Sequence, residues 1–199
     1  MRRVLAIIVI FQALLCIMAP GTLLADTSLA TSVSASVGSA FKMEFYEPDG
    51  TSIMFSTSVP FSTIDPSETF ALPDGREVGD NKSDVGIICK SSDSTAWYLK
   101  IGITAGNLPF GTLKYYLSQP TMWDGTSGVT TDGTIDPSPA GWSDIPVSSQ
   151  KTVYSSGSID TVNTPHGTLC TINFQINPQG LNADTAYNAT VTYTITTTA

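Results

Sequence analysis

The sequence predicts an all-β protein folded as an antiparallel two-sheet sandwich of about eight to nine strands. Hydrophobic and polar residues alternate with a period of two through most of the chain, and helical periodicity is absent after the N-terminal segment. The 199 residues include 27 Thr and 23 Ser, which can cover the solvent face of strands without charged side chains. Turn-forming residues separate the alternating segments, as expected for strands joined by short connections.

Three segments carry the clearest alternation and define the predicted core. In each of them large apolar residues occupy every second position, while polar or small residues fill the positions between. The side chains expected to point inward are Trp97, Leu99, Ile101 and Ile103; Cys170, Ile172, Phe174 and Ile176; and Tyr187, Ala189, Val191, Tyr193 and Ile195.

Shorter alternating segments predict further strands, and glycines after Asp49 and Asp74 supply turns that accept positive φ. The predicted segments are Val33 to Val37, Phe41 to Phe45, Ile53 to Phe55, Val85 to Ser91, Thr112 to Leu117 and Lys151 to Tyr154.

The N-terminal segment has the pattern of a secretory signal peptide. Arg2 and Arg3 precede the apolar run Val4–Met18, and small residues follow a Pro-Gly break. Cleavage is expected after Ala25, with Ala30 as the competing site. An uncleaved membrane anchor is the alternative for this segment, because the stretch from Val4 to Leu24 is just long enough to span a bilayer. We therefore expect a secreted, periplasmic or cell-surface protein that leaves the membrane after processing.

The predicted organisation is a signal peptide over residues 1–25, an arm or edge strand over 26–39, and one sandwich domain over 40–199. A segment at about 120–149 shows little alternation and contains several Asp-Gly and Pro-rich turns. Loops of this length are usually functional or mobile. This segment is therefore the first place to look for a binding surface.

The charge balance and the residue types exclude several functions. Seventeen acidic residues against nine basic ones give a net charge of −8, which opposes binding to nucleic acid or to an anionic membrane. His166 is the only histidine, and the sequence contains no Gly-x-Ser-x-Gly nucleophile motif. We therefore expect a protein that is not an enzyme and that needs no cofactor.

Cys89 and Cys170 are the two cysteines outside the predicted signal peptide. Both lie in alternating apolar segments, so both are expected to point into the core. An oxidising compartment favours a disulfide between them, provided that their strands face each other across the sandwich. Two buried free thiols are the alternative.

Acidic residues crowd the segment between Ala71 and Val85, and their oxygen atoms are the ligand type that Ca²⁺ prefers. Their spacing fits no EF-hand, and Arg76 and Lys82 stand among them. A solvated acidic turn is therefore expected, with a calcium site as the alternative. The candidate ligands are Asp74, Glu77, Asp80 and Asp84.

Four aromatic residues in and near the long loop form the candidate binding surface: Tyr115, Tyr116, Trp123 and Trp142. Aromatic rings beside Asp and Asn can stack on the apolar faces of sugars while the polar groups bind hydroxyls. The alternative is that these rings close the open end of the sandwich, since large aromatic side chains prefer burial. Exposure of the tryptophan rings would favour binding.

The order Cys89, Trp97, Cys170 resembles the immunoglobulin arrangement, in which a tryptophan packs on a bridge between the sheets. The segment Trp97-Tyr98-Leu99, together with the closing strand from Tyr187 to Thr194, resembles small bacterial secreted surface proteins. These include pilin-like sandwiches and WxL-type wall-associated domains. The resemblance implies a role at the cell surface.

Two functions follow from these observations as expectations. The first is an exported, non-enzymatic structural or adhesive protein of the cell surface or envelope that acts through strand edges and loops. The second is a carbohydrate-binding module that uses the aromatic loop. Other surface proteins, copies of the same chain and glycans are the expected partners.

Overall fold

The computed structural model describes residues 27–31, 41–46, 58–61, 64–65, 67–80, 82–123, 129–136, 141–182 and 185–199, the first range by its backbone alone. These residues form two packed sheets and no helix, so the all-β prediction is confirmed. Their strands are β1 Thr27–Thr31, β2 Phe41–Tyr46, β3 Ser58–Phe61, β4 Val85–Ser91, β5 Tyr98–Gly106, β6 Leu113–Leu117, β7 Thr121–Met122, β8 Thr134–Ile135, β9 Ser143–Asp144, β10 Lys151–Ser155, β11 Thr168–Ile176 and β12 Asn188–Thr196.

The first sheet has the strand order β3-β1-β12-β5-β10-β8, and the second has the order β2-β4-β11-β6-β9, with β7 also paired to β11. Every ladder between these strands is antiparallel except that of β1 with β12, which is parallel. Thr27–Thr31, which falls in the predicted arm, is therefore flanked on both sides by strands of its own chain. The expected strands at 33–37 and 53–55 lie outside the described residues.

The core lies between the sheets, and the three strongest sequence segments supply much of it. All thirteen side chains that the alternation places inward in these segments are buried. The two sheets meet directly at Phe45 of β2 and Tyr193 of β12, whose rings pack edge to face with centroids 5.8 Å apart. The period of two therefore predicted correctly which face of these strands is buried.

Trp97 is fully buried immediately before β5, as its place in the alternation predicts. Its ring packs against Tyr154 of β10 at a centroid distance of 5.4 Å. Its indole N–H donates to the main-chain oxygen of Asp160 at 2.9 Å. The tryptophan thus joins the apolar core to the loop that precedes β11.

A buried polar network surrounds the Asp160 carboxylate in that loop. It accepts hydrogen bonds from the Tyr154 hydroxyl at 2.7 Å, from the Gly157 amide at 2.7 Å and from the Thr168 hydroxyl at 3.1 Å. Asn163 extends the network, because its amide nitrogen donates to Thr168 and its oxygen accepts from the Ser91 amide. Burial raises the pKa of the Asp160 carboxyl above its ordinary value, although these hydrogen bonds oppose the rise.

Cys89 and Cys170 are both buried free thiols in this structure, so the expected disulfide is not formed. They lie on neighbouring strands, β4 and β11, and the premise that they belong to opposite sheets is wrong. Cys89 is opposite Thr168, and Cys170 is opposite Ile87, which makes the two cysteines diagonal neighbours. Diagonal positions are typically about 7 to 8 Å apart, beyond the usual span of a disulfide. The arrangement also differs from the immunoglobulin bridge between sheets.

The segment at 120–149 is more ordered than its weak alternation suggests. Its described residues include β7, β8 and β9, and residues 124–128 and 137–140 lie outside the description.

No helix among the described residues has the length and hydropathy needed to cross a membrane.

Candidate functional site

A groove of about 480 Å³ opens on the outer face of the second sheet, where β6 and β11 lie side by side. Its volume falls within the range of sites that bind small ligands. Tyr116, Asn173 and Gln175 belong to the outward-facing positions of these strands and line the groove. Trp142, immediately before β9, also lines the groove, as do several residues of 70–80 and Lys82.

The aromatic part of the groove consists of Tyr116 and Trp142. Their ring centroids are 5.9 Å apart and their planes are inclined by 48°, so the rings form an open corner instead of a flat stack. Trp142 is 39% exposed, and Tyr116 is half-buried. The pair therefore presents apolar ring surface to a ligand in the groove.

The other two candidate aromatics lie elsewhere. Tyr115 points to the opposite face of β6, where it is fully buried and its hydroxyl donates to the main-chain oxygen of Asp136 at 2.8 Å. Burial raises the pKa of Tyr115 to about 12. Trp123 is half-buried beyond β7 and does not line the groove, and its amide donates to the oxygen of Gly167. The four residues chosen from the sequence thus separate into a groove pair, a core residue and a separate surface residue.

Residues 70–80 and 82–84 form one wall because they continue the sheet beyond the end of β4. The pairing of β4 with β11 stops at Val85 opposite Ile172, which leaves the next part of β11 without a strand on that side. Ala71 forms an antiparallel bridge with Ile176, and the Asp84 carboxylate accepts the main-chain N–H of Phe174 at 2.6 Å. The wall is therefore fixed to the floor of the groove at both of its ends.

Arg76 holds the wall together from within. Its guanidinium is paired with Asp80, at 2.7 Å from Nη2 to Oδ1, and with Asp84. It also donates to the main-chain oxygen of Lys82 at 2.6 Å and, at 3.4 Å, to the side-chain oxygen of Asn173 on β11. The bond to Asn173 connects the wall to the neighbouring strand, across 97 positions of sequence.

The two carboxylates that share Arg76 have opposite pKa shifts. The hydrogen bond from Arg76 lowers the pKa of Asp80 well below its ordinary value, with further bonds from the Glu77 and Lys82 amides. Burial raises the pKa of Asp84, and the Phe174 amide and Arg76 oppose that rise. Asp84 is the more deeply placed of the two, with a side chain 3% exposed.

The four candidate calcium ligands are distributed around this arginine. Asp80 and Asp84 use their carboxylates to bind Arg76, while Asp74 and Glu77 are exposed. Among the residues that the structure describes, no three Asp, Glu, His or Cys side chains gather at metal-binding distance. The acidic segment therefore acts as a structural wall around a guanidinium.

His166, the one histidine, is exposed in a turn after the cis peptide bond Thr164–Pro165.

No protein-family model, curated protein or solved structure matches this chain.

Proposed function

We propose that this protein is exported and acts as a non-catalytic adhesive or structural protein of the cell surface or envelope. In this proposal it adheres by binding glycans in the groove of Tyr116 and Trp142. The observation that carries the proposal is the placement of this ring pair on an open groove instead of in the core. The signal-peptide pattern and the resemblance to bacterial surface sandwiches support the location.

The sheet edges offer less for adhesion than the groove. Among the described strands, β3 has four residues and β8 and β9 have two each, which leaves little backbone for strand addition. The remaining edge strand, β2, carries Lys42 and Glu44, which pair with each other while Glu44 also pairs with Lys90. Charged side chains on an edge oppose pairing with another chain. This favours loops and groove over edges as the adhesive surface.

The test is glycan binding by the chain that begins at Asp26. A glycan array followed by titration of intrinsic tryptophan fluorescence would identify a ligand, and Trp142→Ala should weaken its binding about tenfold or more. Trp123→Ala is the matched control, because it also removes a partly exposed tryptophan ring, but one that lies outside the groove. Equal losses in the two variants, or no binding to any glycan, would refute the groove as the adhesive site.

A further inference from the structure

The groove is lined by aromatic and by charged side chains, and two of the charged ones, Arg76 and Asp80, already bind other groups of the protein. Arg76 has five N–H donors. One, on Nε, points to Asp80; the two on Nη1 serve Asp84 and Asn173; and the two on Nη2 serve Asp80 and the oxygen of Lys82. The guanidinium therefore has no donor left for a ligand carboxylate, sulfate or phosphate.

The Asp80 carboxylate is equally occupied. It accepts hydrogen bonds from Nε and Nη2 of Arg76 and from the main-chain amides of Glu77 and Lys82. An ionised carboxylate has about four acceptor positions, so Asp80 has little capacity to bind a cationic group. The cluster of Arg76, Asp80 and Asp84 therefore shapes the groove and leaves no positive charge in excess for a ligand.

The charged side chains that remain cancel each other. Glu77 and Lys82 are exposed at the lining of the groove, and neither forms an ion pair with another described residue. One is an anion and the other a cation, so these two charges cancel. With Arg76, Asp80 and Asp84 counted as well, two cations stand against three anions, so the groove has no excess of positive charge. Such a groove, on a chain with a net charge of −8, gives no electrostatic advantage to an anionic ligand.

The side-chain amide of Gln175 is a polar group that stays available on the floor of the groove. It is half-buried and lines the groove, and no hydrogen bond of this amide is found among the described residues. A primary amide both donates and accepts, which suits a hydroxyl group. Gln175 occupies an outward position of β11, two residues after Asn173, which is directly opposite Tyr116.

We infer that the groove binds an uncharged saccharide, with its apolar face against Tyr116 and Trp142 and its hydroxyls bonded to the Gln175 amide. This inference rests on the proposed glycan-binding function and adds the class of glycan. A uronate or sialylated sugar would bring a carboxylate into the groove, where the Arg76 guanidinium is already saturated. Lys82, the other cation of the lining, is exposed to solvent, where an ion pair contributes little. Removing that carboxylate from water without a partner costs binding free energy.

The experiment compares neutral and anionic oligosaccharides of similar size. The neutral probes are cellotetraose, mannotriose and triacetylchitotriose, and the anionic probes are trigalacturonate and sialyllactose. We expect at least one neutral probe to bind about tenfold more tightly than either anionic probe. Its affinity should change less than about twofold when the salt concentration rises from 0.05 to 0.5 M, because no charge pair is formed.

Variants then test the role of Gln175. Gln175→Ala should weaken binding of the neutral probe about three- to tenfold, the value of a hydrogen bond or two. The matched control is Gln179→Ala, at an exposed position outside the groove lining. Equal thermal unfolding of both variants and the parent chain would show that the loss is not due to misfolding.

The outcomes separate this inference from the proposed function. Anionic probes that bind as tightly as neutral ones, with an affinity that falls at high salt, would overturn the inference and leave glycan binding intact. Unchanged binding in Gln175→Ala would overturn the assigned role of this amide. Failure of all saccharides to bind would overturn both the inference and the proposed function.

Discussion

The indole N–H of Trp97 donates to the main-chain oxygen of Asp160 at 2.9 Å, which ties the start of β5 to a loop 63 residues away. Because the ring is also fully buried against Tyr154, Trp97→Ala should destabilise the fold by about 3 to 5 kcal/mol. Trp97→Phe should cost less, since it keeps much of the ring but leaves the Asp160 oxygen without its donor. Urea unfolding of the three proteins measures both values. An Ala variant as stable as the parent would contradict the packing.

The raised pKa of Asp160 predicts that this carboxyl contributes more to the free energy of unfolding in acid than at neutral pH. In the folded state the carboxyl holds its proton more tightly than at its ordinary value of 3.8, so folding is favoured when the group is protonated. The stabilisation that comes from the Asp160 carboxyl is fully present below about pH 3.8. It is lost as the pH rises through the raised pKa of the folded state. Asp160→Asn should remove this part of the pH dependence. Asp84, whose pKa is also raised, is present in both proteins, so its effect cancels when the two are compared. The measurement is the free energy of unfolding of both proteins between about pH 3 and 7. Parallel curves would contradict the prediction.

Tyr193 carries a buried hydroxyl that has no hydrogen-bond partner among the described residues. A buried polar group without a partner costs about 1 to 3 kcal/mol. Tyr193→Phe removes the hydroxyl and keeps the ring that packs against Phe45. We expect this variant to be more stable than the parent by about 1 kcal/mol, or about 2 to 4 °C in Tm. A clear loss of stability would mean that the hydroxyl has a partner.

The core was predictable from the sequence because its signal is local. In β5, β11 and β12 the alternation of apolar and polar side chains specifies which face is buried, whatever the neighbouring strands are. The same rule could have separated Tyr115 from Tyr116, since adjacent residues of one strand point to opposite faces. Grouping the aromatics by their proximity in sequence missed this signal.

The groove was not predictable, because its parts are distant in sequence. Arg76 reaches Asn173 across 97 positions, and the wall around it has no alternation to mark it as an extension of a sheet. The cysteines illustrate the same limit. Alternation correctly predicted that both are buried, but it contains no information on which strands are neighbours, so their shared sheet could not be foreseen.

The diagonal placement of Cys89 and Cys170 predicts two free thiols in the native chain. The hydrogen bond between them and their burial raise the pKa of the Cys170 thiol well above its ordinary value, which makes it slow to react. An alkylating reagent should therefore leave both cysteines unmodified in the native protein. After unfolding without reductant it should modify both, as peptide mapping by mass spectrometry would show. Two cysteines that stay unmodified after unfolding would reveal a bridge and a different register of β4 and β11.

The position of β1 distinguishes between the two cleavage sites that the sequence predicts. Cleavage after Ala25 leaves Thr27–Thr31 intact, whereas cleavage after Ala30 removes most of the strand that pairs with β12 and β3. Mass spectrometry of the exported protein should therefore find Asp26 as the first residue. A chain that begins at Thr31 should unfold at a lower temperature, by about 2 to 4 °C for each kcal/mol lost. Equal stability of the two chains would show that β1 contributes nothing to the sandwich.

The parallel pairing of β1 with β12 also sets the order of events during biosynthesis. Ser28 is aligned with Asn188, so the first sheet brings together residues about 160 positions apart in the chain. Contacts of such wide sequence separation slow folding, because a long loop must close before they form. Until β12 emerges, β1 and β5 lack the strand that lies between them. The first sheet is therefore completed only after β12 has been made, which suits the export proposed above.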